Sequence, residues 1–265
     1  MTTWLLAYAA LGALAGFFAG LLGVGGGGII VPVLAVLFTA QHFPVEHVMH
    51  LALGTSLATI VFTSISSLRA HHGHGAVLWP IVRAMAPGIL LGTFLGAQVV
   101  SHVSTQALAI FFVLFMAYVS IQMIINAKPK PARVLPGPLG MFGVGAGIGG
   151  VSSLVAIGGG SLSVPFMTWC NVKMHHAIGT SSALGLPIAL AGTVGYMVGG
   201  YGADALPSNS LGYIYLPALA MLVLPSVVAA PLGATLAHRL PVATLKRIFA
   251  GVLIVLSGEM LFSLF

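Results

Sequence analysis

Two short glycine runs are the pattern in this chain that most directly suggests chemistry. Gly25, Gly26, Gly27 and Gly28 precede Ile29, Ile30, Val31 and Pro32, and Gly158, Gly159, Gly160 and Ser161 precede Leu162, Ser163, Val164 and Pro165. Glycine lowers helix stability by roughly 1 kcal/mol per position relative to alanine, so a continuous helix through either run is unfavourable and the chain is expected to open there. Pro32 and Pro165 suit the first turn of a helix that restarts after the opening, where a missing N–H costs nothing. Such a helix presents unpaired N–H groups and the positive end of its dipole, near Gly28 to Val31 and near Ser161 to Val164, and both favour a bound anion. The matched segments Gly54-Thr55-Ser56 and Gly179-Thr180-Ser181 add hydroxyls. These either donate to an oxyanion or bond to a carbonyl one turn back.

The candidate binding set is therefore Gly25, Gly26, Gly27, Gly28, Thr55, Ser56, Gly158, Gly159, Gly160, Ser161, Thr180 and Ser181. It contains no catalytic group, and no cofactor or metal is expected. The alternative reading of the glycines is close helix packing of the small-residue kind found in membranes.

Composition supplies the surroundings. Hydrophobic residues make up 58% of the chain and charged residues 5%, against roughly a quarter charged in soluble domains. So few charges do not coat a water-exposed surface, so the expected solvent is the bilayer. The apolar run from Trp4 lacks a basic leader region and a small-residue cleavage site, so it is expected to remain in the mature protein. Cys170 is the single cysteine, which excludes an internal disulfide. The net charge of +6 comes from nine Lys and Arg spread over 265 residues, which form no basic face for a nucleic acid.

A spanning helix needs about twenty apolar residues. Stretches of that order run Trp4 to Leu22, His47 to Ser67, Leu78 to Val100 and Gln106 to Ile125, then Gly137 to Ile157, Ala177 to Val198, Ile214 to Ala237 and Thr244 to Phe265. The runs Ile29 to Phe38 and Leu162 to Cys170 are too short for straight crossings and read as half-helices or re-entrant segments. The pattern is an internal repeat. Leu22 to Pro32 aligns with Val155 to Pro165, His50 to Ser56 with His175 to Ser181, and Leu95-Gly96-Ala97 with Leu232-Gly233-Ala234. Residues 1–127 form the first membrane repeat, 128–135 a linker and 136–265 the second repeat.

Lys and Arg in short loops favour the cytoplasm. Arg69 in the loop before Leu78, Lys128, Lys130 and Arg133 in the linker, Lys173, and the cluster Arg239, Lys246 and Arg247 all fall on one face if each glycine-broken pair returns the chain to its starting side. The acidic loop from Gly199 to Gly212 is then outside, opposite its basic counterpart around Arg69. The expected fold is an all-α polytopic membrane protein of two inverted-topology repeats, each of about five segments, with both termini outside. A single crossing by each broken pair gives parallel halves instead and splits the basic loops between faces.

Ionisable residues inside spans are expensive and invite functional readings. Glu259 in the last helix either faces the bundle and takes up a proton, or ends its helix at the interface. His50 and His175, at equivalent positions on opposite sides, either titrate with transport or sit at the interface. Arg83, early in its helix, either snorkels to the headgroups or lines an anion path. His71, His72 and His74 read as a hydrated loop, having no nearby carboxylate or cysteine to complete a metal site.

The duplicated glycine break and the segment His175-His176-Ala177-Ile178-Gly179-Thr180-Ser181-Ser182 resemble the TauE/SafE family of membrane anion permeases, over nearly the whole chain. Ser161, in place of a fourth glycine, departs from a simple repeat. The resemblance implies secondary transport, as an exporter, of a small anion such as sulfite, a sulfonate or a related sulfur or carboxylate compound. The partners expected are that anion, H+ or Na+ as coupling ion, the lipid bilayer of a bacterial inner membrane and, as an option, a second copy of the chain. An anion channel or a non-transporting assembly subunit is the alternative. An intramembrane enzyme lacks its constellation, because the only acids are Glu46, Asp204 and Glu259.

Overall fold

The computed structural model describes residues 2–22, 25–125, 133–237 and 242–264. They form α1 (Thr2–Leu22), α2 (Gly27–Ala40), α3 (Val48–Gly73), α4 (Trp79–Val100) and α5 (Thr105–Ile125), then α6 (Pro138–Val155), α7 (Gly160–Trp169), α8 (Met174–Gly199), α9 (Leu216–Ala237) and α10 (Val242–Leu264). Among the described residues α1, α3, α4, α5, α6, α8 and α9 are long and apolar enough to cross a bilayer. Their outward faces carry Leu95, Leu114, Ile121, Leu224 and Val228, side chains at home against lipid tails. The chain is an all-helical, multi-pass membrane protein.

α2 and α7 have 14 and 10 residues, about 21 and 15 Å at 1.5 Å per residue, short of the ~30 Å hydrocarbon core. Each begins directly after a glycine in the left-handed region, Gly26 at φ 80° and Gly159 at φ 80°, a conformation costly for a residue with a Cβ. That turn moves the helix starts forward, to Gly27 and Gly160. Pro32 and Pro165 therefore stand at the sixth helical position, in the second turn, and not in the first turn as the sequence suggested. Lacking an N–H, each withholds the intrahelical hydrogen bond due to the carbonyl four residues earlier, at Gly28 and Ser161.

α3 also differs from expectation. It runs through Arg69 to Gly73, so Arg69 and His71 are helical and not in a loop. His71 is buried, and its Nε2–H donates to the Gly20 carbonyl near the end of α1 (3.2 Å). This helical start of the histidine cluster replaces the expected hydrated loop. Between α8 and α9 lies a small antiparallel pair, β1 (Ser210–Leu211) and β2 (Ile214–Tyr215), which the sequence did not suggest.

α3 and α8 pack together at the centre, α1 lies on α9, α4 lies on α6, and α5 meets α10. Exchanging each first-half helix for its counterpart maps α1 on α9 to α6 on α4 and α3 on α9 to α8 on α4, leaving the α3–α8 and α5–α10 pairs unchanged. The crossings of α1 with α9 and α4 with α6 are close because glycines face them at every fourth residue. A Cβ at Gly12, Gly16 or Gly20 would stand 2.4, 2.3 or 1.8 Å from the carbonyl oxygen of Leu222, Ser226 or Ala230. At Gly88 and Gly92 the distances to Phe142 and Ala146 oxygens are 2.0 and 2.1 Å. Small residues at this spacing let membrane helices meet backbone to backbone.

The loops sort into two ends. At one, His47 Nε2–H donates to the Asp204 carbonyl (3.0 Å) and Thr105 Oγ1 to the Glu46 carbonyl (2.6 Å). At the other, the Arg133 guanidinium lies 4.8 Å from the centre of the Trp169 ring, and His176 Nδ1 lies 3.3 Å from the Ala76 carbonyl oxygen. Glu46 and Asp204 are thus at one end, Arg133 and Lys173 at the opposite end. α2 returns to the end where α1 begins, since Gln41 donates to the Tyr8 hydroxyl. α7 likewise ends beside Arg133, just ahead of α6. Lys128, Lys130 and Arg239, part of the expected basic set, lie outside the described residues.

Candidate functional site

The two glycine breaks meet. A Cβ on Gly25 would lie 2.8 Å from both the Cα and the N of Gly158, and one on Gly27 would lie 1.7 Å from the Ala156 carbonyl oxygen. Only glycine lets the two openings touch through backbone. At the restart of α7, Leu162 N–H and Ser163 N–H donate to Gly159 O (3.1 and 2.7 Å). The first N–H groups of the helix have no acceptor one turn back.

Beside this contact is a small cavity, with room for a water-sized occupant, lined by Gly25 and Gly158 and by hydroxyls from two long helices. α3 supplies Thr63, Ser64 and Ser67, α8 supplies Ser182 and Gly185, and α1 supplies Ala19. Ser182 Oγ donates to Ser67 Oγ (2.8 Å), and Thr63 Oγ1 lies within bonding distance of the Thr59 carbonyl (3.1 Å) and Ser226 Oγ (2.9 Å). Ser64 is 4% exposed and lines the same space. Among the described residues no charged side chain lines the space. An occupant here meets hydroxyl donors and backbone in a setting of low dielectric, where such dipoles act strongly.

Of the residues singled out from the sequence, Gly25 and Gly158 line the cavity. Gly26, Gly27, Gly159 and Gly160 form the adjoining backbone, while a Cβ on Gly28 would face Leu253 and Met116 instead. Ser161 is buried with its Oγ unpartnered among the described residues, as is that of Ser56. Ser181 is also buried. Thr55 and Thr180 do something else: Thr55 Oγ1 accepts from Tyr215 N–H and Thr180 Oγ1 from Leu78 N–H, each at 2.9 Å. These amides lead into α9 and α4. Gly54 and Gly179 beside them leave room for the carbonyls of Tyr213 and Ala76, which a Cβ would approach to 2.3 and 2.7 Å. The matched Gly-Thr pairs thus dock the loop entering the next long helix. Replacing either threonine by valine strands a buried amide, at a cost of about 1–3 kcal/mol. Thr55→Val and Thr180→Val are each expected to lower the melting temperature in detergent, while Thr39→Val, at a partly buried hydroxyl bonded only to its own helix, shifts it less.

The hydroxyls of Thr63, Ser64, Ser67 and Ser182 escaped the sequence reading. Each is an ordinary polar residue in a spanning helix. The available signal was their spacing, since Thr63, Ser64 and Ser67 share one face of α3 at i, i+1 and i+4.

The ionisable residues lie elsewhere. Glu259 is exposed on α10 and Arg83 is exposed near the start of α4. His50 is buried at the Glu46/Asp204 end, its Nε2–H donating to the Val100 carbonyl (3.1 Å), with its ring 4.8 Å from that of Tyr213. Burial pushes the Tyr213 phenol above its ordinary pKa. His175 is exposed at the opposite end, stacked on His176 at 4.1 Å.

The chain is similar to several curated proteins. It is 39% identical to a probable membrane transporter protein of Haemophilus influenzae over 98% of this chain and 99% of that one. It is 28% identical to the probable membrane transporter protein YunE of Bacillus subtilis over 95% of each, and 23% identical to a probable membrane transporter protein of Methanocaldococcus jannaschii over 95% and 93%. No solved structure matches. Residues 8–260 match the family described as sulfite exporter TauE/SafE. With its glycine-broken helix pairs and its full-length likeness to membrane transporters, the chain belongs to the TauE/SafE family and is a membrane transporter.

Proposed function

We propose that this transporter exports a small anion, such as sulfite, a sulfonate or a related sulfur or carboxylate compound, by alternating access. The observation that carries the reading is the meeting of two left-handed glycine breaks on a hydroxyl-lined cavity that, among the described residues, no charged side chain lines. The anion is held by N–H groups at the starts of α2 and α7, with Ser64, Ser67 and Ser182 donating to its rim. Neutral donors hold the charge loosely enough for release, and no bond in the substrate has to change.

In this reading the halves are inverted-topology repeats that rock about the breaks. The self-mapping of the helix pairs supports it, as does the return of α2 and α7 to the ends from which α1 and α6 start. The Arg133/Lys173 end then faces the cytoplasm of a bacterial inner membrane, by the preference of short basic loops, and both termini are outside. H+ or Na+ serves as coupling ion.

A thermal-shift screen of sulfite, sulfate, a short sulfonate and a short carboxylate on the purified protein tests the binding step, since a ligand of the folded state raises its melting temperature. At least one is expected to raise it saturably. Ser64→Ala and Ser182→Ala are each expected to weaken that binding about tenfold, the ~1.4 kcal/mol of one hydrogen bond to a charged group. No shift with any anion counts against the reading.

A further inference from the structure

The repeat makes the two sides of the glycine contact comparable residue by residue, and they differ. Continuing the match of His50 to Ser56 with His175 to Ser181 along α3 and α8 pairs Leu57 with Ser182, Ile60 with Gly185, Ile188 with Thr63 and Ala189 with Ser64. The match also holds structurally near the helix ends: His71 bonds to the Gly20 carbonyl at one end, and its counterpart Tyr196 donates to the Ser153 carbonyl at the other (2.8 Å). Toward the Arg133/Lys173 end the positions are hydroxyl or glycine and surround the cavity. Toward the Glu46/Asp204 end they are aliphatic, and Leu57, Ile60 and Ile188 are fully buried.

These aliphatics press on the breaks. Ile60 Cγ2 lies 3.4 Å from where a Cβ of Gly25 would be, and Ile188 Cδ1 lies 2.7 Å from the corresponding point on Gly159. Leu57 Cδ1 packs in the same way on Gly192 of α8 (2.7 Å). Ser67 is six residues before the end of α3 and Ser182 eight after the start of α8, about 9 and 12 Å from the Arg133/Lys173 end. The hydroxyls thus lie between the breaks and that end, and the aliphatics between the breaks and the other.

We propose that Leu57, Ile60 and Ile188, backed by Tyr196, are the closed gate of the transport path on the Glu46/Asp204 side, and that the hydroxyl-lined cavity is entered from the Arg133/Lys173 side. Tight aliphatic contact excludes water and ions on one side, and polar walls on the other tolerate both. The inference rests on the transporter reading but is tested without knowing the substrate. Cys170 is the single native cysteine. Ser64→Cys is placed in a Cys170→Ser chain, with Ser182→Cys as a second reporter should the first accumulate poorly. A small, membrane-impermeant methanethiosulfonate is then applied to membrane vesicles of each orientation.

Labelling is expected to be about tenfold or more faster from the Arg133/Lys173 side. Adding Leu57→Ser and Ile188→Thr, the residues that stand at the equivalent open positions, is expected to admit the reagent from the other side. If that pair impairs accumulation, the two-sided comparison with the native aliphatics decides alone. Equal labelling from both sides, labelling only from the Glu46/Asp204 side, or none from either overturns the gate. Anion uptake that persists alongside such a result leaves the transporter reading standing, and one-sided labelling without any anion uptake overturns that reading and leaves the gate.

Discussion

Gly27→Val is expected to abolish anion uptake while the protein still reaches the membrane. A Cβ there would sit 1.7 Å from the Ala156 carbonyl oxygen, about half an ordinary contact distance. The obstacle is backbone, so no rotamer change relieves it. Overpacking of a core costs about 1–3 kcal/mol when side chains can adjust, and here the two breaks must separate instead. The effect falls on the site and leaves the α1–α9 and α4–α6 crossings in place. Uptake into proteoliposomes, normalised to reconstituted protein, is the measurement, and unchanged uptake removes the breaks from the mechanism. Gly160→Val, at the start of α7, is expected to behave alike.

Gly20→Leu and Gly88→Leu are expected to act on the fold instead. Their Cβ positions are 1.8 and 2.0 Å from the carbonyl oxygens of Ala230 and Phe142, so each would force apart a helix pair held by backbone contact. Without a hydrophobic drive between helices in lipid, that packing supplies much of the association. Both variants are expected to lose the monodisperse peak on detergent size-exclusion and to melt lower. Gly147→Leu is the control: nothing lies within 4 Å of its Cβ position on the exposed face of α6, and it should behave as the native chain. Equal behaviour of all three variants contradicts the close crossings.

The glycine breaks were legible in the sequence because four consecutive small residues inside an apolar chain have few other uses. The helices after them were less so. The prolines pointed to the first turn of each helix, but a left-handed glycine starts the helices at Gly27 and Gly160 and leaves Pro32 and Pro165 in the second turn, a backbone choice that composition does not display. The Gly-Thr-Ser segments were recognisable as matched, yet the partners of Thr55 and Thr180 are amides about 160 and 100 residues away in sequence, contacts that exist only once α3 and α8 pack. Ser64 and Ser182 were overlooked for the same reason. A serine in a spanning helix becomes a site only through what the opposite helix leaves open. Charge was legible in one place and misleading in another. Loop charges at Arg133 and Lys173 do share one end, but Arg69 and His71 belong to a helix that outlasts its apolar stretch.

Movement of an anion through the glycine contact is tested most directly by counterflow in proteoliposomes. Vesicles loaded with unlabelled sulfite, or with a short sulfonate or carboxylate, are diluted into a trace of the labelled compound. A transient, saturable accumulation of label is expected for at least one of these anions, and none for Gly27→Val. Label entry that never exceeds that of protein-free vesicles for any of them, or that is non-saturable without counterflow, contradicts transport through the contact.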